Sequence, residues 1–441
     1  MSHPPHKVLI VSPHFAPINA PDMQRTRIAL PYLRSFGWEP VVLSVAPDLV
    51  EGGVVEPLLE ETYPSDIRIV RVRGIPQRIT RLFGIGSLWL RCGASIRAAG
   101  ERLLSEERID LVLFSTTQFD CFTLGPRWKA RFGVPYVLDY QDPWINDYYH
   151  RTNTKPPGGW LKFGISQWSA RLREPRALRG ASAVITVSDA YGKSFAERYP
   201  WFIPSKVALL PFGAASADIA TAQKHKPSSP LVPFGDEYFH IVYTGRCGPD
   251  MSTSLSVIFL AFKNFLAARP DEAKRIRFHF IGTDYAPRPF GRTWALPIAK
   301  ALGIEAFVSE HCYRVPYFDA LYYLVNADAL VCVGSNDPTY SASKLYPYVM
   351  AARPMLVVFH YLSQVTEIAN RLKCGSRYQF HDSGDIPKLA DAVTKEWFMG
   401  GGMTRFVEPD FQEFSRYTAG GMTRSLAKTF DLAVGNQSNE Q

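Results

Sequence analysis

Residues 337–359, DPTYSASKLYPYVMAARPMLVVF, pass from a loop through a short helix into a buried strand, and that succession decides the fold class. Leu345, Tyr348, Val349 and Ala352 recur at helical spacing, while Arg353 and Pro354 end the helix. Met355 to Phe359 is then a continuous apolar run, the pattern of a strand covered on both faces of a parallel sheet. At the head of the unit, the hydroxyls of Ser341 and Ser343 can cap the helix N-terminus, and Lys344 falls in its first turn. Backbone N–H groups and the positive end of the helix dipole favour an anion there, and a diphosphate has the right charge and size. The other reading of Lys344 is a solvated surface charge.

The same alternation extends outward. Upstream, His240 to Thr244 reads as a strand, Ser254 to Ala267 as a helix and Arg277 to Ile281 as a strand. Ala295 to Leu302 follows as a helix, Phe307 as a short strand, Phe318 to Asn326 as a helix and Ala329 to Val333 as a strand. Residues 214–237 lose periodicity and gain Pro, Ser and Lys, which reads as a linker. Before it, strands are expected at Lys7 to Ser12, Pro40 to Val45, Ile67 to Val72, Leu111 to Ser115, Tyr136 to Asp139 and Ala183 to Val187, with Arg25 to Phe36 a helix stopped by Gly37. The chain is therefore α/β. Its expected architecture is two Rossmann-like, doubly wound domains facing across a cleft: residues 1–213, then the linker, then 238–405. Residues 406–441 read as helical material packing back on the first domain, with a disordered tail.

Composition narrows the class. The length of 441 residues is more than one ordinary domain, and 46% hydrophobic content is that of a globular protein, with no apolar run approaching the ~18 residues of a bilayer span. The N-terminal residues lack the basic, apolar and small-residue zones of an export signal. Six cysteines lie scattered without a CxxC pair, as expected of reduced thiols in a cytoplasmic protein. GxGxxG is absent, which disfavours a nicotinamide or flavin cofactor, and no Asp-x-Asp or Asp/Glu/His cluster offers a metal site.

A formal charge of +8 raises the question of anionic partners. Nucleic acid is disfavoured because the basic residues are dispersed among apolar ones. Arg71, Arg73, Arg78, Arg81, Arg91, Arg97 and Arg102 interleave with Ile75, Ile79, Leu82, Phe83, Ile85, Leu88, Trp89 and Leu90, and residues 155–179 mix Lys and Arg with Trp160, Leu161, Phe163 and Trp168. Such stretches fit contact with an anionic membrane, on the inner face of a cell membrane for a cytoplasmic protein, or helices with an apolar core face and a solvated Arg face.

Six motifs in order carry a resemblance: PHFAP (Pro13 to Pro17) with Arg25, VLDYQDPW (Val137 to Trp144), ASAVITVS (Ala181 to Ser188), YTGRCG (Tyr243 to Gly248), RVPYFDALYYLVNADALV (Arg314 to Val331) and SKLYPYVMAARPMLVV (Ser343 to Val358). Across nearly its whole length the chain resembles the GT-B glycosyltransferases of the family 4 type. The resemblance implies a C-terminal domain that binds a nucleotide-sugar, such as a UDP- or GDP-sugar, with no further cofactor. It also implies an N-terminal domain that faces a glycan or lipid-linked acceptor, and transfer with retention, in surface polysaccharide or glycolipid synthesis. The implied donor set is Gly245, Arg246, Val315, Ser335, Asp337, Thr339, Ser343 and Lys344, with His14, Asn19 and Arg25 on the acceptor side.

Breaking an anomeric C–O bond to diphosphate leaves negative charge on the leaving group, so Arg246 and Lys344 are the expected catalytic cations. Asp142 either orients a substrate hydroxyl or caps the turn before Pro143. Glu174, in a place where the family often has Glu, serves an ion pair or catalysis. Pro347 and Thr339 stand where family members commonly carry Glu against the donor. Two alternatives stay open: a non-catalytic GT-B subunit, and a GT-B nucleotide-sugar epimerase.

Overall fold

The structure is a computed structural model that describes residues 5–50, 53–81, 86–146, 156, 159–284, 286, 289–337 and 344–435. The chain divides into two compact units, residues 1–213 with 419–441, and residues 214–418.

Beside a short antiparallel pair, Ile18–Asn19 with Val54–Val55, the main strands of the first unit are β1 (His6–Val11), β2 (Trp38–Val45), β3 (Arg68–Val72), β4 (Leu111–Ser115), β5 (Tyr136–Tyr140), β6 (Ala183–Thr186) and β7 (Val207–Leu209). They form one sheet in the order β3-β2-β1-β4-β5-β6-β7, and every pairing is parallel. Val8 to Val11 are fully buried, as the unbroken apolar run requires of a strand covered on both faces. Among the covering helices are α1 (Gln24–Leu33), α2 (Leu88–Glu106), α3 (Leu124–Phe132), α4 (Gly159–Gly180) and α5 (Asp189–Arg198). Helix α1 closes through a short 3-10 turn at Gly37, whose φ of 82° explains the glycine.

The second unit contains α6 (Ser216–Lys224), β8 (Phe239–Thr244), α7 (Ser252–Ala268), β9 (Ile276–Ile281), α8 (Ala295–Ala301), β10 (Val308–His311), α9 (Tyr317–Asn326), β11 (Ala329–Val333), α10 (Leu345–Met350), β12 (Met355–His360), α11 (Gln364–Leu372), β13 (Ser376–Phe380) and α12 (Ile386–Val393). Its parallel sheet runs β10-β9-β8-β11-β12-β13. In both sheets the first strand is central, the next two strands lie on one side and the fourth returns to the other, the doubly wound order.

Four expectations are corrected. Residues 214–237 are not a bare linker: α6 buries Ile219 and Ala222 and packs on α9, and the Tyr317 hydroxyl donates to the buried Asp218 carboxylate at 2.7 Å. Phe307 lies in a 3-10 turn just before β10 rather than in a strand. One apolar helical stretch, Pro249–Ala268, is long and apolar enough to cross a membrane by composition, against the reading that none is. Its composition is explained by burial: Leu255, Ile258, Phe259, Phe262 and Phe265 are wholly enclosed, with Phe262 and Phe259 edge-on to Phe278 of β9. The return to the first unit begins at Ala419 rather than 406, with α13 (Ala419–Gly435) packed on α1. There Phe430 meets the Trp38 ring edge-on at 5.1 Å, and the Trp38 indole N–H donates to Asp431 at 2.9 Å.

Candidate functional site

Doubly wound sheets bind ligands at the carboxyl ends of the strands where the strand order reverses. Each unit of this chain places a cluster of polar side chains there.

In the second unit the reversal falls between β8 and β11. The loops that leave these strands are tied together: the Asn336 N–H donates to the Asp250 carbonyl at 2.6 Å, and the Ser335 hydroxyl donates to the Asp250 carboxylate at 2.8 Å. Arg246 forks onto the same carboxylate with Nη1 and Nη2 at 3.0 and 2.7 Å. Burial would raise the Asp250 pKa, but the bonds from Arg246 and Ser335 and the guanidinium charge hold it below its ordinary value. The Asp337 N–H donates to Ser335 at 3.0 Å.

Lys344 reaches the same loop from the start of α10. Its ammonium donates to the Tyr243 hydroxyl and, at 3.5 Å, to the Arg246 carbonyl, and it stands 4.6 Å over the Tyr243 ring. Tyr243 is fully buried and donates in turn to the Arg246 carbonyl. Gly245 sits beneath this contact with φ 127°, and a Cβ there would lie 3.2 Å from the Lys344 ammonium nitrogen. Another side chain would be strained at this dihedral and would push the Lys344 ammonium back by a few tenths of an ångström. Tyr348 locks α10 in place: its hydroxyl donates to the Thr244 carbonyl at 2.9 Å and accepts from the Thr244 N–H at 2.8 Å.

Of the expected donor residues, Gly245, Arg246, Ser335, Asp337 and Lys344 come together here. Thr339 and Ser343, and the capping Ser341, lie outside the described residues. Ser335 is buried and turned to Asp250, so it positions the loop rather than meeting a ligand. Val315 sits in the loop between β10 and α9, at the far edge of the sheet, and no described contact brings it to Arg246 or Lys344. The N–H groups of Gly245 and Cys247 are taken by the carbonyls of Ile281 and Thr283, so those two backbone groups are not offered to a ligand. Among the described residues no group of three or more His, Cys, Asp and Glu is placed to hold a metal ion.

In the first unit the reversal falls between β1 and β4. His14, after β1, holds its Nδ1 2.9 Å from the Asp22 carboxylate. Asp22 also accepts from the Thr116 hydroxyl at 3.0 Å and the Thr117 N–H at 3.0 Å, both just after β4. Burial pushes the Asp22 pKa up, but His14 and these donors outweigh it and keep the carboxyl below its usual value. A carboxylate only accepts, so His14 donates to Asp22 from Nδ1. Asp142 is exposed beyond the end of β5, with its pKa raised by desolvation and by the charge of Asp22.

Arg25 does not meet an acceptor. It is fully buried, with Nε 2.8 Å from the buried Asp139 carboxylate and Nη2 2.7 Å from the Leu210 carbonyl. Asn19 is also engaged, donating to Glu56 at 2.8 Å and accepting from Gln24 at 3.1 Å. Glu174 is structural: it is buried, accepts from the Tyr199 hydroxyl at 2.7 Å and pairs with Arg198 at 3.1 Å, while burial raises its pKa. Sequence reasoning missed Asp22, Asp139, Asp250 and Tyr348. The only signal for them was their place just before, within or just after the predicted strands and helix.

Residues 25–213 match the model of the glycosyl transferase 4-like domain. No curated protein matches the chain by sequence. Among solved structures, HepE of Anabaena in complex with UDP is similar at 14% identity and TM-score 0.51 over 98% of both chains. The UDP-forming α,α-trehalose-phosphate synthase of Burkholderia vietnamiensis aligns at 15% identity and TM-score 0.55 over 97% of both. WaaG, a glycosyltransferase involved in lipopolysaccharide biosynthesis, aligns at 15% identity and TM-score 0.51 over 98% of both. At these identities the likeness establishes the fold.

Proposed function

We propose that this chain, whose fold is GT-B and whose residues 25–213 match the glycosyl transferase 4-like domain, is a glycosyltransferase that transfers a sugar from a UDP-sugar to a glycan or lipid-linked acceptor, with retention, in surface polysaccharide or glycolipid synthesis. The observation that carries this reading is the meeting of Arg246 and Lys344 at the strand-order reversal of the second sheet, 98 residues apart in sequence. UDP is the nucleotide of choice because HepE, with the same fold, was captured with UDP and with UDP-glucose.

As the anomeric C–O bond breaks, charge builds on the diphosphate. Lys344 and Arg246 stabilise it, and Asp250 and Tyr243 hold those cations in place. Protein cations serve here in place of Mg²⁺. In the first unit, His14 and Asp142 bind sugar or acceptor hydroxyls, and the departing diphosphate oxygen accepts the acceptor proton.

Titration calorimetry with UDP, GDP, ADP and dTDP tests the donor assignment. UDP is expected to bind without added metal, and Lys344→Ala and Arg246→Ala each to weaken it by the ~1.5–3 kcal/mol of a charge-assisted hydrogen bond. If no nucleotide binds the folded protein, the catalytic reading fails and the non-catalytic GT-B subunit takes its place.

One observation favours a second mechanism. The His14–Asp22 pair has the form of a general base, an imidazole oriented by a buried carboxylate, and such a base deprotonates an acceptor for direct displacement with inversion. The anomeric configuration of the product, read by NMR, separates the two: retention supports the first mechanism and inversion the second.

A further inference from the structure

Helix α4 has two opposite apolar faces. The inner one buries Ala170, Ala177 and Leu178 against the first unit. The outer one carries Leu161, Ile165, Trp168 and Leu172, spaced four, three and four residues apart, so that they fall on one line of the helix. These side chains are 81, 61, 66 and 47% exposed. Exposed apolar residues on a soluble surface are normally scattered singly, whereas an unbroken stripe marks an interaction site.

The charges on the same helix are one-sided. Lys162, Arg171, Arg173, Arg176 and Arg179 are all exposed, while its one acid, Glu174, is buried. At about 100° per residue, Arg171 flanks the stripe on one side, Lys162 and Arg176 on the other, and Arg179 continues its line. Trp160, 42% exposed, stands in the first turn. Arg173 pairs with Asp120 and Arg179 lies over the Trp201 ring; in the other basic and aromatic stretch Arg71 pairs with Glu60, Arg73 with Asp48, and Arg91 is buried on the Leu49 carbonyl.

We propose that the outer face of α4 docks the protein on an anionic lipid bilayer. Leu161, Ile165, Trp168 and Leu172 enter the boundary between headgroups and acyl chains, and the flanking Lys and Arg meet lipid phosphates. The charge pattern selects a bilayer over a second copy of this chain. A two-fold self-contact brings each patch against itself, so it would press the same cations together. A net charge of +8 adds long-range attraction to an anionic surface. The inference goes beyond the proposed activity and does not rest on the donor site.

Co-sedimentation of the full chain with phosphatidylcholine vesicles, with and without phosphatidylglycerol, tests it. Binding is expected to the anionic vesicles and to fall with added salt. Lys162→Ala and Arg176→Ala are each expected to weaken partitioning about fivefold. The double variant Ile165→Glu/Trp168→Glu is expected to abolish it at an unchanged melting temperature, since both side chains point away from the core. The proposal is overturned if the native chain stays in the supernatant with anionic vesicles, or if the double variant binds them as the native chain does. A concentration-dependent dimer in light scattering that the double variant abolishes also overturns it, by giving the stripe to a second copy.

Discussion

Lys344→Ala is expected to slow glycosyl transfer about 100- to 1,000-fold, the effect of removing one preorganised donor from a developing oxyanion. Three features concentrate the effect in this side chain. Its ammonium is held against the Tyr243 hydroxyl and over the Tyr243 ring, so little reorganisation is needed when charge develops on a diphosphate. Gly245 keeps the space beneath it clear. Tyr348 fixes the helix that carries it to the end of β8 through two hydrogen bonds. The loss should appear mainly in kcat, because the leaving group carries more charge in the transition state than in the bound donor. Steady-state kinetics with saturating UDP-sugar checks this. Full kcat in a folded Lys344→Ala protein would remove Lys344 from the chemistry and leave Arg246 as the remaining candidate.

The site was readable in part because its cations sit where local rules point. Arg246 follows a strand through a glycine, and Lys344 precedes a helix that feeds a buried strand; both signals span a few residues. The partners of these cations were not readable. Asp250 reaches Arg246 only because the chain turns back after β8, and Tyr348 reads as one more apolar helix position until its hydroxyl meets Thr244. The fold was the more legible level, since runs such as Val8 to Val11 and Met355 to Phe359 are too apolar to lie anywhere but inside. The segment 214–237 misled because its Pro, Ser and Lys content masks a nine-residue helix. That helix has a weak apolar face and is held by packing on α9 and by the Asp218–Tyr317 hydrogen bond.

Arg25 shows why a sequence motif alone misassigns a polar residue, and its replacement should have the largest effect on stability. Arg25 and Asp139 are 114 residues apart, yet both are wholly buried and 2.8 Å from each other. Asp139 is also held by Ser115 at 2.8 Å and Gln141 at 2.9 Å, and the guanidinium reaches the Leu210 carbonyl and stacks 4.8 Å from the Phe212 ring. One side chain thus joins β5 and the end of β7 to α1 and, through Asp139, reaches Ser115 of β4. Arg25→Ala strands a carboxylate in the interior and leaves a buried carbonyl without its donor. Breaking a buried pair in this way costs about 3–5 kcal/mol. For a unit of this size each kcal/mol lowers the melting temperature by roughly 2–4 °C, so a drop of about 6–20 °C is expected in a thermal scan. Arg25→Lys should recover only part of it, because an ammonium keeps the charge but cannot fork between Asp139 and Leu210. A melting temperature that stays put while acceptor KM rises would reverse the assignment and make Arg25 a substrate contact.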